Sequence, residues 1–351
     1  MFAAMASVAF ASCVKNEPLA TLEQGDLITF EVPVVAPATK ATGTVEYPGT
    51  EKFVLYGWYH ASSWDVNAGN NAGVMYIPGV NVSKHGEESY FRPNDFYYWP
   101  KTGNLSFFAY SPAALLSDKD GNLSANCNES TIPSVNLTYT VPSAQANQVD
   151  LLYSDWALNK SKEDYVTLPD NLGAYNGVEI VFNHALSAVL FNLQTTEKAK
   201  NLYKIHSVSL SGLHGTSTLT STPATTSWGE LSYPATYAIT PYKDQDHVLD
   251  VTAKSSDMFM LLPQSLEGAK LTIRYSLLNP GDRTTWISQE PKELSLNTAT
   301  NILDKSAITA WESGRKYTYN LVFDVDLIQL APSIKADWIG VGANLNTDPA
   351  I

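Results

Sequence analysis

The chain has 351 residues, room for about two domains at ~150 residues each. It carries 22 Lys and Arg against 35 Asp and Glu, a net charge of −13, with 44% hydrophobic and only 16% charged residues. That balance supplies packed cores, speaks against a disordered chain, and sets the protein against nucleic acid, whose phosphates a field of this sign repels.

Residues 1–12 are small or apolar and end at Cys13, after which the composition turns polar with Lys15, Asn16 and Glu17. The run is too short to span a bilayer and has the character of an export signal. Phe10-Ala11-Ser12-Cys13 resembles a lipobox, in which the Cys13 thiol is acylated and becomes the new N-terminus. Acyl chains at ~0.8 kcal/mol per buried CH₂ then hold a soluble body on a membrane face. Residues 1–13 are therefore read as a lipoprotein signal. The second cysteine, Cys127, is read as a small core hydrophobe, and without a CxxC there is no disulfide scaffold, zinc ribbon or redox motif.

From there the pattern is all-β. Ile28, Phe30, Val32 and Val34 alternate with polar residues or Pro, predicting a first strand with one apolar face. The stretch 37–43 is small, polar and Pro-containing, the character of an exposed protease site. Phe53, Leu55, Gly57 and Tyr59 share a face, and Trp58, Trp99 and their Tyr neighbours are either core or a sugar-stacking platform. From Asp118, oxygen-bearing residues recur at Asp120, Asn122, Asn126 and Glu129. This resembles a calcium loop by oxygen count, but Leu123 stands where the sharp turn needs Gly, so a hairpin tip is favoured.

The charged, Asn-rich stretch 155–177, broken by Pro169 and Gly173, marks a boundary between a domain at 41–175 and one at 176–351. After it Val178, Ile180 and Phe182 share a face. His184 is expected to be a structural hydrogen-bonder at a chain reversal. One short helix is expected within 196–205. The clearest alternation is Tyr317, Tyr319, Leu321, Phe323 and Val325. The signatures HExxH, GxSxG, GxGxxG and the P-loop are all absent from the sequence, so no catalytic residue, metal ligand or cofactor is expected.

Several segments, taken in order, resemble the fimbrillin family, the type V pilins and related surface lipoproteins of Bacteroidales-type bacteria. They are Cys13; Ile28-Thr29-Phe30; Thr39-Lys40-Ala41; Phe53-Val54-Leu55-Tyr56-Gly57; Tyr98-Trp99-Pro100; Leu105 through Pro112; and Asp150-Leu151-Leu152-Tyr153. Phe182-Asn183-His184-Ala185-Leu186-Ser187, Met260-Leu261-Leu262-Pro263-Gln264, Trp311 through Tyr319, and Trp338 complete the set. The resemblance implies two transthyretin-like antiparallel β-sandwich domains, export as an outer-membrane-anchored lipoprotein, and assembly at the cell surface into a fimbria.

In that family a trypsin-like maturation protease removes the N-terminal segment, here the pro-segment 14–40 with its first strand, by a cut at Lys40-Ala41. A strand from a neighbouring pilin subunit then fills the opened groove. The resemblance places the donor at the C-terminal end, at Ile334, Ala336, Trp338 and Val341. It also implies adhesion to a host or bacterial surface ligand. The alternative reading is a lipid-anchored adhesin or glycan-binding module that does not polymerise.

Overall fold

The computed structural model describes residues 27–36, 44–65, 73–86, 90–117, 121–128, 133–165, 177–243, 245–300, 306–325 and 327–335. Among them the chain is all-β, with three sheets building sandwich-like domains and only short 3-10 turns between strands. No helix in the described residues is long and apolar enough to cross a membrane.

The first sheet runs through Phe30–Glu31, Tyr90–Pro93, Val74–Lys84, Phe53–His60 and Asn104–Ser111. It continues through Leu152–Ser154, Val181–His184, Val34–Val35 and Val45–Glu46. Phe30–Glu31 and Val34–Val35 belong to one stretch of chain, 27–36, so the path returns on itself and the strands form a closed ring. The ring is filled by Phe30, Phe53, Leu55, Phe91, Phe107 and Phe182 among others. Phe53–His60 and Asn104–Ser111 are buried on both faces, which is why they read as near-continuous apolar runs. Their second face, with Val54, Tyr56, Trp58, Phe108 and Tyr110, joins the core of the second domain.

That domain packs two sheets. One contains Ser187–Thr195, Lys316–Phe323, Ile328–Lys335, Lys254–Ser255 and Phe259–Leu261. The other is centred on the 19-residue strand Tyr203–Ser221, with Lys270–Leu278 and then Ser134–Thr140 paired along one edge and Ser232–Ala238 along the other. Tyr203 meets Phe323 at 5.1 Å and Tyr237 meets Phe259 at 6.2 Å across the two sheets. Tyr203–Ser221 changes register between Leu210 and Leu213. Gly212 sits there with φ +74, where any Cβ would collide with the Gly268 carbonyl, so only glycine fits this bulge.

Pairing is mostly antiparallel, as expected; besides the single Phe30–Val178 bridge, two strand pairs are exceptions. Ser187–Thr195 runs parallel to Lys316–Phe323, and Val34–Val35 runs parallel to Val181–Phe182. The sheets also do not part at 175/176. The hairpin Leu123–Asn128 and Ser134–Thr140 pairs into the sheet of the second domain, while Val181–His184 pairs into the ring of the first. Alternation identifies these strands but says nothing about which sheet receives them.

Three local expectations change. The stretch 196–205 is not a helix: Glu197–Ala199 makes a single 3-10 turn before the strand begins at Tyr203. Val325 leaves the face of Tyr317, Tyr319, Leu321 and Phe323 and is 49% exposed, because the Asp324 amide bonds the Leu327 carbonyl in a tight reversal. Leu123–Asn128 is a regular strand, so Asn126 stands in a sheet and not at a hairpin tip, while Asp118, Asp120 and Glu129 lie outside the described residues. Cys127, on that strand, is half-buried against the core. His184 is a buried structural hydrogen-bonder as expected, its Nδ1 lying 2.8 Å from Asp150 Oδ2 where the chain leaves the ring.

Candidate strand-assembly site

Residues 27–36 are bound along both edges. On one side the Ile28 amide donates to the Tyr97 carbonyl at 2.8 Å, and Phe30 and Glu31 pair antiparallel with Phe91 and Tyr90. On the other, Phe30 bridges Val178 in parallel: the Val178 amide donates to Thr29 O at 2.9 Å and the Glu31 amide to Val178 O at 3.2 Å. Further along, the Val34 amide donates to Ile180 O and the Ala36 amide to Phe182 O.

Side chains set the depth of the groove. Ile28 and Phe30 are fully buried, and Phe30 stands edge-on to Phe107 at 5.5 Å and Phe53 at 6.3 Å. The expected face Ile28, Phe30, Val32 and Val34 holds only for its first two members. Phe30 is opposite Val178, but Val34 is opposite Val181, so one extra residue is accommodated between them. This bulge beside Pro33, which has no amide to give, shifts the phase. Val35 therefore enters the core, while Val32 and Val34 are half-buried. At ~1.5–3 kcal/mol for each of the three inward side chains, burial alone contributes roughly 5–9 kcal/mol before the cost of ordering the strand.

Tyr47 closes the floor of the groove. Its ring packs on Phe182 at 5.2 Å, its amide donates to Pro33 O at 2.7 Å, and its hydroxyl shares a 2.7 Å hydrogen bond with Ser111 Oγ. Tyr47→Phe keeps the ring and removes that bond. It is expected to cost about 1 kcal/mol in urea denaturation.

The outward face carries charge. Glu31 and Glu179 follow Phe30 and Val178 in register, so two carboxylates stand side by side on neighbouring strands. Burial, and then Glu179, hold the Glu31 carboxyl above its usual range. The same acids, with Asp164, add to burial in raising the hydroxyl pKa of Tyr165, whose ring stacks on Trp99 at 5.5 Å.

Of the other expected site residues, Cys13, Lys40, Ala41, Ala336, Trp338 and Val341 lie outside the described residues. Lys40 and Ala41 fall between Val34–Val35 and Val45–Glu46, which pair with each other antiparallel. Ile334 belongs to Ile328–Lys335, docked antiparallel on Lys316–Phe323 in an eight-residue register, with Ile328, Leu330 and Ile334 turned to the core. Trp58 and Trp99 are 0% and 8% exposed, so neither offers a sugar-stacking face.

Sequence reasoning missed Val35, Glu179 and Gly177. Gly177 lies directly against the Phe30 backbone. Pro33 was the available signal for the first, since a proline inside a strand commonly marks a bulge.

A family model described as fimbrillin-like matches residues 39–338. The chain belongs to the fimbrillin-like family. Its fold is also that of solved structures at low identity. A fimbrial protein of Bacteroides vulgatus is 15% identical with a TM-score of 0.57, covering 88% of this chain and 98% of its own. A candidate cell adhesion protein of Bacteroides ovatus is 14% identical with a TM-score of 0.52, covering 90% and 99%. A similar one of Bacteroides uniformis is 16% identical with a TM-score of 0.50, also covering 90% and 99%. No curated protein matches the chain. The family's description places it among fimbrial proteins, which lie at the cell surface.

Proposed function

We propose that this fimbrillin-like protein is a structural subunit of a bacterial surface pilus, assembled by strand exchange. The observation that carries the reading is the stretch 27–36, one short strand that closes a ring of strands by bonding along both edges. Its removal would leave two unpaired edges and a slot with the places of Ile28, Phe30 and Val35 empty. Such a slot is a template for an added strand. The Lys40-Ala41 bond follows directly on this strand, so a trypsin-like cut there separates it covalently from the body.

In this reading Cys13 carries the lipid that holds the precursor on the outer membrane, and the cut releases the body from its anchor. The incoming strand is the C-terminal segment of another subunit. Ile328, Leu330 and Ile334 already alternate on one face of an edge strand, as a donor's side chains must. The chain itself catalyses none of these steps.

The test is to trim the purified chain after Lys40 with a trypsin-like protease and run it on SDS gels with and without boiling. Heat-labile, SDS-resistant ladders are expected. A trimmed protein that stays monomeric with residues 14–40 still bound would sink the stalk-subunit reading.

A further inference from the structure

The outward face of the groove holds a like-charge pair across the joint that strand exchange would break. Glu31 belongs to the strand that leaves and Glu179 to the wall that stays, and the Phe30–Val178 bridge puts them opposite each other in a parallel ladder. Like charges directly opposite weaken a strand pair, whereas the surrounding bonds and buried side chains strengthen it. This one contact therefore works against retention of the resident strand, and Glu179 then faces whatever strand replaces it.

The C-terminal strand of this same chain differs at that face. Ile328, Leu330, Pro332 and Ile334 share the inward side, and Gln329, Ala331 and Ser333 alternate with them. In a register that seats the inward set beside Glu179, the residue opposite the carboxylate is Gln329, Ala331 or Ser333. None of them is acidic.

We propose that Glu179 is a charge gate of the groove: it repels the resident strand through Glu31 and admits an incoming C-terminal strand, from a second copy of this chain, whose outward face bears no carboxylate. This rests on the strand-exchange reading and adds to it a residue that selects the partner. The groups around Glu31 fix the pH sense. Glu179 faces it from the 178–182 strand, Tyr90 from Tyr90–Pro93, and Tyr165 with Asp164 from the Lys162–Tyr165 turn. A carboxyl held above its ordinary range in the docked state favours docking at acid pH, and that contribution is lost as pH rises through the range.

The experiment uses the full chain with residues 37–43 replaced by a site for a sequence-specific protease, so that it does not depend on the native cut. After cleavage, release of the N-terminal piece is followed at pH 7.5 and pH 4, and uptake of a labelled peptide of residues 327–335 is followed in parallel. Glu31→Gln and Glu179→Gln are each expected to slow release about two- to fivefold at pH 7.5 and little at pH 4, without adding in the double variant. A peptide with Glu at positions 329, 331 and 333 is expected to enter the Glu179 protein less well than the native peptide, and to enter Glu179→Gln equally well. If charge changes neither release nor peptide choice while the native peptide still enters, the gate is overturned and strand exchange stands. If no peptide enters any variant, the gate and the exchange reading fall together.

Discussion

Phe30→Ala is expected to lower the stability of the first domain by about 3–5 kcal/mol, read as a drop in the urea midpoint. The cost has two parts. Removing a fully buried ring forfeits its transfer from water, and the cavity left between Phe53 and Phe107 cannot collapse easily, because both rings sit on strands paired on each side. A smaller effect follows at the neighbouring aliphatic positions. Val34→Ala removes a half-buried side chain on the wrong side of the bulge and should cost under about 1 kcal/mol. Val35→Ala, two methyl groups lost from a buried site, should cost clearly more than Val34→Ala. A Phe30→Ala loss below about 1 kcal/mol would mean that residues 27–36 lie on the ring without closing it.

The Val34/Val35 contrast separates what periodicity can carry from what it cannot. Alternation at Tyr317, Tyr319, Leu321 and Phe323, and at Val178, Ile180 and Phe182, read directly as buried faces, since a strand's period is fixed by its own backbone. The all-β class and the buried first strand were legible for the same reason. The partner of that strand was not. Phe30 and Val178 are 178 − 30 = 148 residues apart and pair in parallel, and no local pattern encodes a contact at that separation. The extra residue beside Pro33 exists to reconcile this parallel register with the antiparallel one to Tyr90–Pro93 and Val45–Glu46. Glu31 and Glu179 are ordinary surface acids in sequence. Only the fold makes them neighbours.

Gly177→Ala is expected to be the most selective lesion of the groove. A Cβ at this position would lie 2.7 Å from the Glu31 amide nitrogen and the Phe30 carbonyl carbon, and 3.0 Å from the Phe30 Cα. These are backbone atoms, so no rotamer change relieves the contact, and either 27–36 or the 177–182 wall must move. The bonds beside it, Glu31 N to Val178 O at 3.2 Å and Val178 N to Thr29 O at 2.9 Å, lengthen first. Crowding of this kind costs about 1–3 kcal/mol, so amide exchange at Glu31 and Val178 should accelerate about tenfold or more. Gly229→Ala, where the added methyl meets only the Thr218 carbonyl at 3.4 Å, serves as the control. Because the clash is with main-chain atoms, it does not depend on which side chains the strand carries. An incoming strand that follows the resident's path must meet the same methyl group, and trimmed Gly177→Ala protein should form few or no SDS-resistant ladders under conditions where Gly229→Ala forms them normally. Ladders at the native level from Gly177→Ala would show that the joining strand takes another path across the ring, with the slot of Ile28 and Phe30 left to some other cover.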